Sequence, residues 1–379
     1  MPSEMPTLLN PTSMPHPGDT VLEYLEFHGW SQSDLARRTA LTAKTISEIC
    51  NGKTPITPPT ALALEKVFGR PAHFWLNIQR QFDEAAARHR ERQQYAKWSD
   101  WAQRFPLKEM KRLKWIPAYS TLKADVEALL GFLGVSSPQS WQSMWKASDV
   151  AYRQTRKFTT SAEAISVWVR ATELAASELR VGFGSYSERQ LRSSIKELRA
   201  CTAKRIDEVI ARVQSLCAAA GVAVVWVPAL PQTGISGCAR WLTDNRALIA
   251  LTLRYKTDDQ MWFTFFHELG HILLHRRKRA FVLDNADSQV TDRVVDPEMQ
   301  QYEDEANRFA ADILIPPPEL AAFIKSGTFT SEAIFQFAKS MGIGPGLVVG
   351  RLQHDAVLAP FQGNAFKQRL SLKMLQDRE

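Results

Sequence analysis

Cysteine is scarce and unpatterned. Four occur in 379 residues, Cys50, Cys201, Cys217 and Cys238, with no C-x-x-C spacing. That excludes a disulfide framework and a cysteine-ligated zinc site, and leaves reduced, buried thiols as the expectation. Long apolar runs are missing as well. No stretch approaches the roughly 18 residues a membrane helix needs, and the longest, around Val222 to Pro228, are strand-sized. The opening MPSEMPTLLNPTSMPHPGDT has neither a basic start nor an apolar core. No signal peptide is read there, so the expected compartment is the cytoplasm, with no membrane partner. Repeats of fixed period and low-complexity tracts are absent. Charge of one sign is only in modest excess: +7 overall, which permits contact with nucleic acid without establishing it.

The remaining composition is that of a globular protein, 45% apolar and 23% charged. At roughly 150 residues per domain the chain holds two or three domains. Residues 1–16 are rich in Pro, Ser and Met and are expected to be disordered. Residues 17–84 read as short amphipathic helices separated by polar turns. Residues 85–117 form a basic connector: Arg88 to Lys114 holds nine Lys/Arg against three Asp/Glu, with Trp98, Trp101 and Trp115 in or beside it. Such a segment starts helical and then docks on the region C-terminal to it. Residues 118–215 read as a helical middle region, and the period changes at Gly221. VAVVWVP and ALIALTL are short and β-branched, with QTGISGC a glycine turn and ARW a third strand between them. A long helix is expected from Asp258 or Asp259, and another from Glu298 to Ile315, stopped by Pro316-Pro317-Pro318. The fold class is therefore mainly α with a small β-sheet, the last unit spanning 216–379.

The string WSQSDLARRTALTAKTISEICNGKT has helix-turn-helix logic. Ser31 caps a helix with Asp34 three residues on. Leu35 and Ala36 face inward, Thr39-Ala40-Leu41 turns, and Thr42 caps a second helix with Ile46 and Ile49 on its buried side. Ala43, Lys44, Ser47 and Glu48 are left facing a groove, and Asn51-Gly52 ends the helix. Over about residues 17–82 this resembles the Cro/repressor-type helix-turn-helix family, more specifically its HigA (VapI) antitoxin type. The resemblance implies Ala43, Lys44 and Glu48 at base edges and Gln32, Asn51 and Lys53 at phosphates. Ala40 departs from the glycine usual in that family. Residues 17–80 carry seven basic and six acidic residues, weak electrostatics for a lone module. A homodimer on an inverted repeat of double-stranded operator DNA, helped by the connector, is therefore expected.

The strongest chemical signal is FHELGHILLH. His267 and His271 are i, i+4 neighbours whose imidazoles leave one helix face and can share one ion. Glu268, about a third of a turn round, is placed as a general base rather than a ligand. A third ligand is needed, and EDEANRFAADILIP can supply it. Glu303 and Asn307 share one face, with Ala306, Ala310 and Ala311 small enough for close helix approach, while Glu305 points elsewhere. Asn307 can hydrogen-bond a ligand imidazole. His275 continues the histidine stripe but is one turn too far to ligate, which leaves a packed or hydrogen-bonded role. No residue identifies itself as transition-state stabiliser, Tyr255 and Tyr302 being guesses. HELGH followed by ExEAN-x-FA and a proline stop resembles the ImmA/IrrE metallopeptidase family over roughly residues 205–320. That resemblance implies a zincin-like α+β domain, Zn2+ as cofactor, Glu303 as third ligand, and helix-turn-helix repressors or partner proteins as substrates.

Two functions are compatible with this pattern. One is a DNA-binding regulator of the HigA-like autorepressor type that carries a zinc-dependent endopeptidase. The other is a toxin–antitoxin system antitoxin whose zinc domain only binds a partner, such as a toxin, or senses a signal.

Overall fold

The computed structural model describes residues 15–152, 161–179, 181–231, 233–252, 254, 256–275, 282–284 and 297–371. Most of the segment expected to be disordered, and Tyr255, lie outside them. Helix dominates, with one small sheet, as the sequence pattern implies. The chain forms two compact units, one from residues up to Asp100 with Ser120–Glu127, the other from Trp101–Tyr119 and from Ala128 onward. Among the described residues no helix is long and apolar enough to cross a membrane.

The first unit begins with α1 (Pro17–His28), α2 (Gln32–Thr39), α3 (Ala43–Cys50), α4 (Pro58–Phe68) and α5 (Ala72–Lys97). The polar spacers between them work as caps. The Ser31 hydroxyl accepts from Asp34 N while the Asp34 carboxylate accepts from Ser31 N, a reciprocal capping box. Thr42 Oγ1 accepts from Thr45 N at 3.0 Å and starts α3. The helices close over Leu35, Ile46, Ile49, Leu64 and Trp75, all but fully buried. The Gln79 amide oxygen accepts from Ile56 N and ties the loop before α4 to α5.

Ala40 takes the left-handed conformation, φ +57°, at the turn between α2 and α3. Its Cβ costs energy there that glycine avoids. Ala40→Gly should therefore stabilise the first unit by about 0.5–1 kcal/mol, less than the full left-handed penalty because glycine also loosens the unfolded chain. Urea unfolding of the two chains checks this, and a less stable variant contradicts it.

There follow α6 (Ser99–Ala102), α7 (Leu107–Arg112), α8 (Leu122–Leu133), α9 (Pro138–Tyr152), α10 (Ala162–Glu178), α11 (Glu188–Cys201) and α12 (Ile206–Ala219). The later part of the basic segment packs: Ala102, Phe105, Met110 and Ile116 are buried, and Trp101 and Phe105 stand edge-on to Trp141.

The sheet holds β1 (Val222–Trp226), β2 (Gly237–Thr243), β3 (Arg246–Leu251) and β4 (Val282–Asp284), in the order β1-β3-β2-β4. β1 runs parallel to β3, whereas β2 is antiparallel to both β3 and β4. Every residue of β1 is buried, as expected of a continuous apolar run. β2 is longer than the Ala-Arg-Trp stretch legible in sequence, because Gly237 and Cys238 belong to the strand and not to the glycine turn. β4 is an edge strand that the sequence pattern did not mark. Against the sheet lies α13 (Asp258–Leu274), and α14 (Pro297–Leu314) packs on α13; α15 (Pro317–Lys325), α16 (Ser331–Met341) and α17 (Pro345–His354) follow, with a 3₁₀ turn at Asn364–Phe366. The core joins the sheet to α11, α12 and α13 through Leu198, Ile210, Val213, Phe265 and Phe266. It thus draws in helices that precede residue 216. Each buried Phe of this kind contributes about 1.5–3 kcal/mol relative to exposure.

The N-terminus of α13 is clamped by the chain's last described segment. Gln368 N donates to Asp258 Oδ1 at 2.8 Å, Asp258 N donates to Gln368 O, and Lys367 Nζ lies 2.7 Å from Asp259 Oδ2. Asp258 and Asp259 are both buried. Burial, reinforced by the Asp259 charge and opposed by the Gln368 N–H, lifts the Asp258 carboxyl to about 6. The folded protein therefore holds a proton that the unfolded chain releases near pH 4. Stability from this group is full below pH 4 and is lost as pH rises toward 6. A shift of about two units corresponds to roughly 3 kcal/mol at most. Asp258→Asn keeps an acceptor for Gln368 N–H and cannot ionise. Its stability relative to wild type should rise by about 2–3 kcal/mol between pH 4 and pH 7, and a pH-independent difference would reject the assignment.

Candidate metal centre and DNA-reading face

On α3, Ala43 and Lys44 are exposed, as are Asn51 and Lys53 just beyond it, whereas Ser47, Glu48 and Gln32 are half-buried. Glu48 is already engaged. The Thr54 hydroxyl donates to its Oε2 at 3.2 Å, and Lys44 Nζ stands 3.9 Å from its Oε1. Asn51 Nδ2 donates to Ser47 O at 2.8 Å, so its amide also helps to end the helix. The Lys44 side chain is 84% exposed. The six residues thus lie on or beside α3 and at the start of α2, with different freedom to reach a ligand.

In the second unit α13 and α14 lie side by side. Gly270 permits the approach, since a Cβ there would stand 3.3 Å from Ala306 Cα. This contact sets Glu303 and Asn307 of α14 opposite His267 and His271 of α13. His267 Nε2 is 3.0 Å from His271 Nε2 and 3.4 Å from Glu303 Oε2, and His271 Nε2 is 3.8 Å from Glu303 Oε1. One ligand atom from each of the three lies within 4.8 Å of the others.

The hydrogen bonds behind these rings decide what the facing atoms offer. His267 Nδ1 lies 2.9 Å from Asn307 Oδ1, and donation to that oxygen leaves Nε2 a lone pair. His271 Nδ1 lies 3.1 Å from His275 Nδ1, and His275 Nε2 lies 3.0 Å from Glu305 Oε2. Burial, then repulsion from the neighbouring His267 and His275 rings, pushes His271 well below the ordinary histidine range, so this ring is neutral near pH 7. Glu303 Oε1 is buried with no hydrogen bond among the described residues. Three Lewis-basic groups facing one another in a desolvated place repel unless a cation lies between them. A tetrahedral ion with bonds of about 2.0–2.2 Å needs donor atoms about 3.3 Å apart, inside the observed range. The residues therefore fit a metal ion.

Glu268 sits at 0% exposure under β2. A Cβ on Gly237 would come to 2.5 Å from its Oε1 and 2.6 Å from Thr264 Cγ2. This close approach explains the glycine that begins β2. Tyr302 is buried, its hydroxyl donates to Glu298, and its ring lies 4.6 Å from that of His275. All four cysteines are free and buried. Burial, with the Glu268 charge adding to it, raises the Cys238 thiol far above its usual range and leaves it inert. The sequence pattern overlooked Gly237 and the joint use of His275 with Glu305. The available signal was the i, i+4 step from His271 to His275.

Residues 22–75 match the helix-turn-helix family, and residues 231–353 match the IrrE N-terminal-like domain, a peptidase family. The uncharacterized HTH-type transcriptional regulator YddM of Escherichia coli (strain K12) is 34% identical over 73 residues, covering 19% of this chain and 78% of YddM. Virulence-associated protein I of Dichelobacter nodosus is 37% identical over 82 residues, covering 21% of this chain and 69% of that protein. A solved addiction module antidote protein of a HigA family from Coxiella burnetii is 35% identical, covering 22% of this chain and 92% of the other, with a TM-score of 0.21. The chain belongs to the helix-turn-helix transcriptional regulators, with a metallopeptidase-family, IrrE N-terminal-like domain fused behind that module.

Proposed function

We propose that the chain is a DNA-binding transcriptional regulator of the HigA-like autorepressor kind whose second unit is a zinc-dependent endopeptidase, cleaving a partner or repressor protein in the cytoplasm. The observation that carries this reading is the convergence of His267, His271 and Glu303 beside the fully buried Glu268. Two imidazole nitrogens and one carboxylate suit Zn2+ and leave a fourth position open. When bound, zinc supplies Lewis-acid activation of water and of a peptide carbonyl. The chain's own residues do the rest. Asn307 and His275 orient the two histidine rings. Glu268 takes a proton and returns it to the leaving amine nitrogen. The Gly237 backbone and the apolar flank of α13 keep bulk water from Glu268.

The test incubates the zinc-loaded chain alone, with any toxin-sized protein encoded beside its gene, and with a helix-turn-helix repressor, and reads new fragments by mass spectrometry. Cleavage of any of the three supports the peptidase. Cleavage of none rejects it and leaves the antitoxin-type autorepressor whose metal unit binds a partner or senses a signal.

For the first unit we propose that α3 enters a major groove of double-stranded operator DNA as part of a homodimer on an inverted repeat. Lys44 and Ala43 face base edges, with Glu48 beside them, and Gln32, Asn51 and Lys53 meet phosphates. Lys44→Ala should cost about 1–3 kcal/mol and relax one position of the site. Lys53→Ala should weaken all sequences alike and reduce the salt slope by about one. A gel-shift titration separates the two, and equal, sequence-blind weakening removes the base-reading role from Lys44.

A further inference from the structure

The two histidines of the centre have unlike outer partners. His267 faces a neutral amide, Asn307 Oδ1, at 2.9 Å. His271 faces a second imidazole, His275, which in turn faces a carboxylate, Glu305. We propose that Glu305 and His275 form a relay that holds His271 in the tautomer presenting Nε2 to the ion, so that Glu305, which is not a ligand, sets metal affinity as a positioning residue. This rests on the proposed metal centre of His267, His271 and Glu303.

Each hydrogen in the relay has one place to go. A carboxylate only accepts, so His275 Nε2 carries the hydrogen of the 3.0 Å bond to Glu305. In the relay the His275 ring carries that one hydrogen and has its lone pair on Nδ1, which lies 3.1 Å from His271 Nδ1. His271 must donate across that bond, which leaves its Nε2 bare toward His267 and Glu303. Both outer members are held in place. Gln301 Nε2 donates to Glu305 Oε1 at 2.8 Å, and the His275 ring lies tilted on Tyr302 with centroids 4.6 Å apart. The His275 ring is buried, whereas Glu305 lies at the rim, its side chain 36% exposed. The carboxylate thus stays hydrated while its influence reaches the ligand through a ring that water does not. Without Glu305, His275 is free to place its hydrogen on Nδ1. His271 then accepts at Nδ1 and carries its own hydrogen on Nε2, where the ion must bind. Asn307 Oδ1 holds His267 by a separate bond, so the two histidines are secured independently.

The test measures zinc dissociation constants of the full chain by chelator competition, with thermal unfolding of the metal-free forms alongside. Glu305→Gln keeps the size of the residue, and His275→Phe keeps the ring on Tyr302. Each should weaken zinc about 10- to 100-fold, the range for partners behind ligands. The double variant should be no weaker than His275→Phe alone, because the two residues act as one path. Asn307→Ala should instead multiply with Glu305→Gln. Metal-free melting of Glu305→Gln should match wild type, which separates positioning from a merely structural role. Affinities within twofold of wild type for Glu305→Gln overturn the relay, as do independent, multiplying effects of Glu305 and His275. A wild type that takes up no zinc overturns the metal reading itself and the relay with it, an outcome distinct from intact binding with silent variants.

Discussion

Glu303→Ala leaves the purified chain without metal. With Glu303 removed, the ion keeps only the two imidazoles of α13, which share one helix face and cannot complete a three-ligand set. The loss should exceed the 10- to 100-fold typical of partners behind ligands, so more than about 100-fold in affinity. Glu303 Oε1 is also buried without a hydrogen bond among the described residues, so alanine removes an unsatisfied buried oxygen from the metal-free protein. The variant should therefore fold at least as well as wild type without metal. Glu305→Ala is the control on the same helix. It should still hold the ion at stoichiometric zinc, though less tightly. Metal content after gel filtration, with far-ultraviolet circular dichroism, reads both. Retention of zinc by Glu303→Ala together with its loss from Glu305→Ala would sink the ligand set.

Glu268→Gln separates metal binding from turnover. The glutamine has the shape of the carboxylate and lies under Gly237, where no Cβ stands in its way. The donor atoms of His267, His271 and Glu303 do not include it, so zinc content and fold should be unchanged. It cannot take a proton, so peptide hydrolysis should fall by about 100- to 10,000-fold, the range for a positioned general base. Fragment yield against time, measured on zinc-matched protein, checks this. Full activity in the variant assigns the proton transfer elsewhere, and metal loss in the variant makes Glu268 a ligand instead. The two substitutions together distinguish a site that binds from a site that reacts.

What could be read directly from the chain was set by short-range geometry. A step of four residues on a helix brings His267 and His271 to one face in any fold, and the same step pairs Glu303 with Asn307. Ser31 with Asp34, and Thr42 with Thr45, cap α2 and α3 because the hydroxyl-to-backbone bond closes within three residues. The proline run at 316–318 ends α14 because a proline nitrogen carries no hydrogen. Those local rules determined the helices of the turn motif, the start of α13, the approximate bounds of α14 and the identity of the candidate ligands. They did not determine where β2 begins, because Gly237 is required by Glu268, some thirty residues later, and reads as a turn when seen alone. Nor did they determine that the segment around Gln368 clamps Asp258 across 110 residues, or that Asp258 is buried deeply enough to lift its carboxyl to about 6 against the pull of that N–H. Glu305 points away from the ligand set on its own helix, and only the packing of α14 against α13 brings it to His275. The sequence by itself determined which side chains could share an ion. The tertiary structure decided which groups stand behind them, because hydrogen-bond partners from separate helices are chosen by packing and leave no period in the chain.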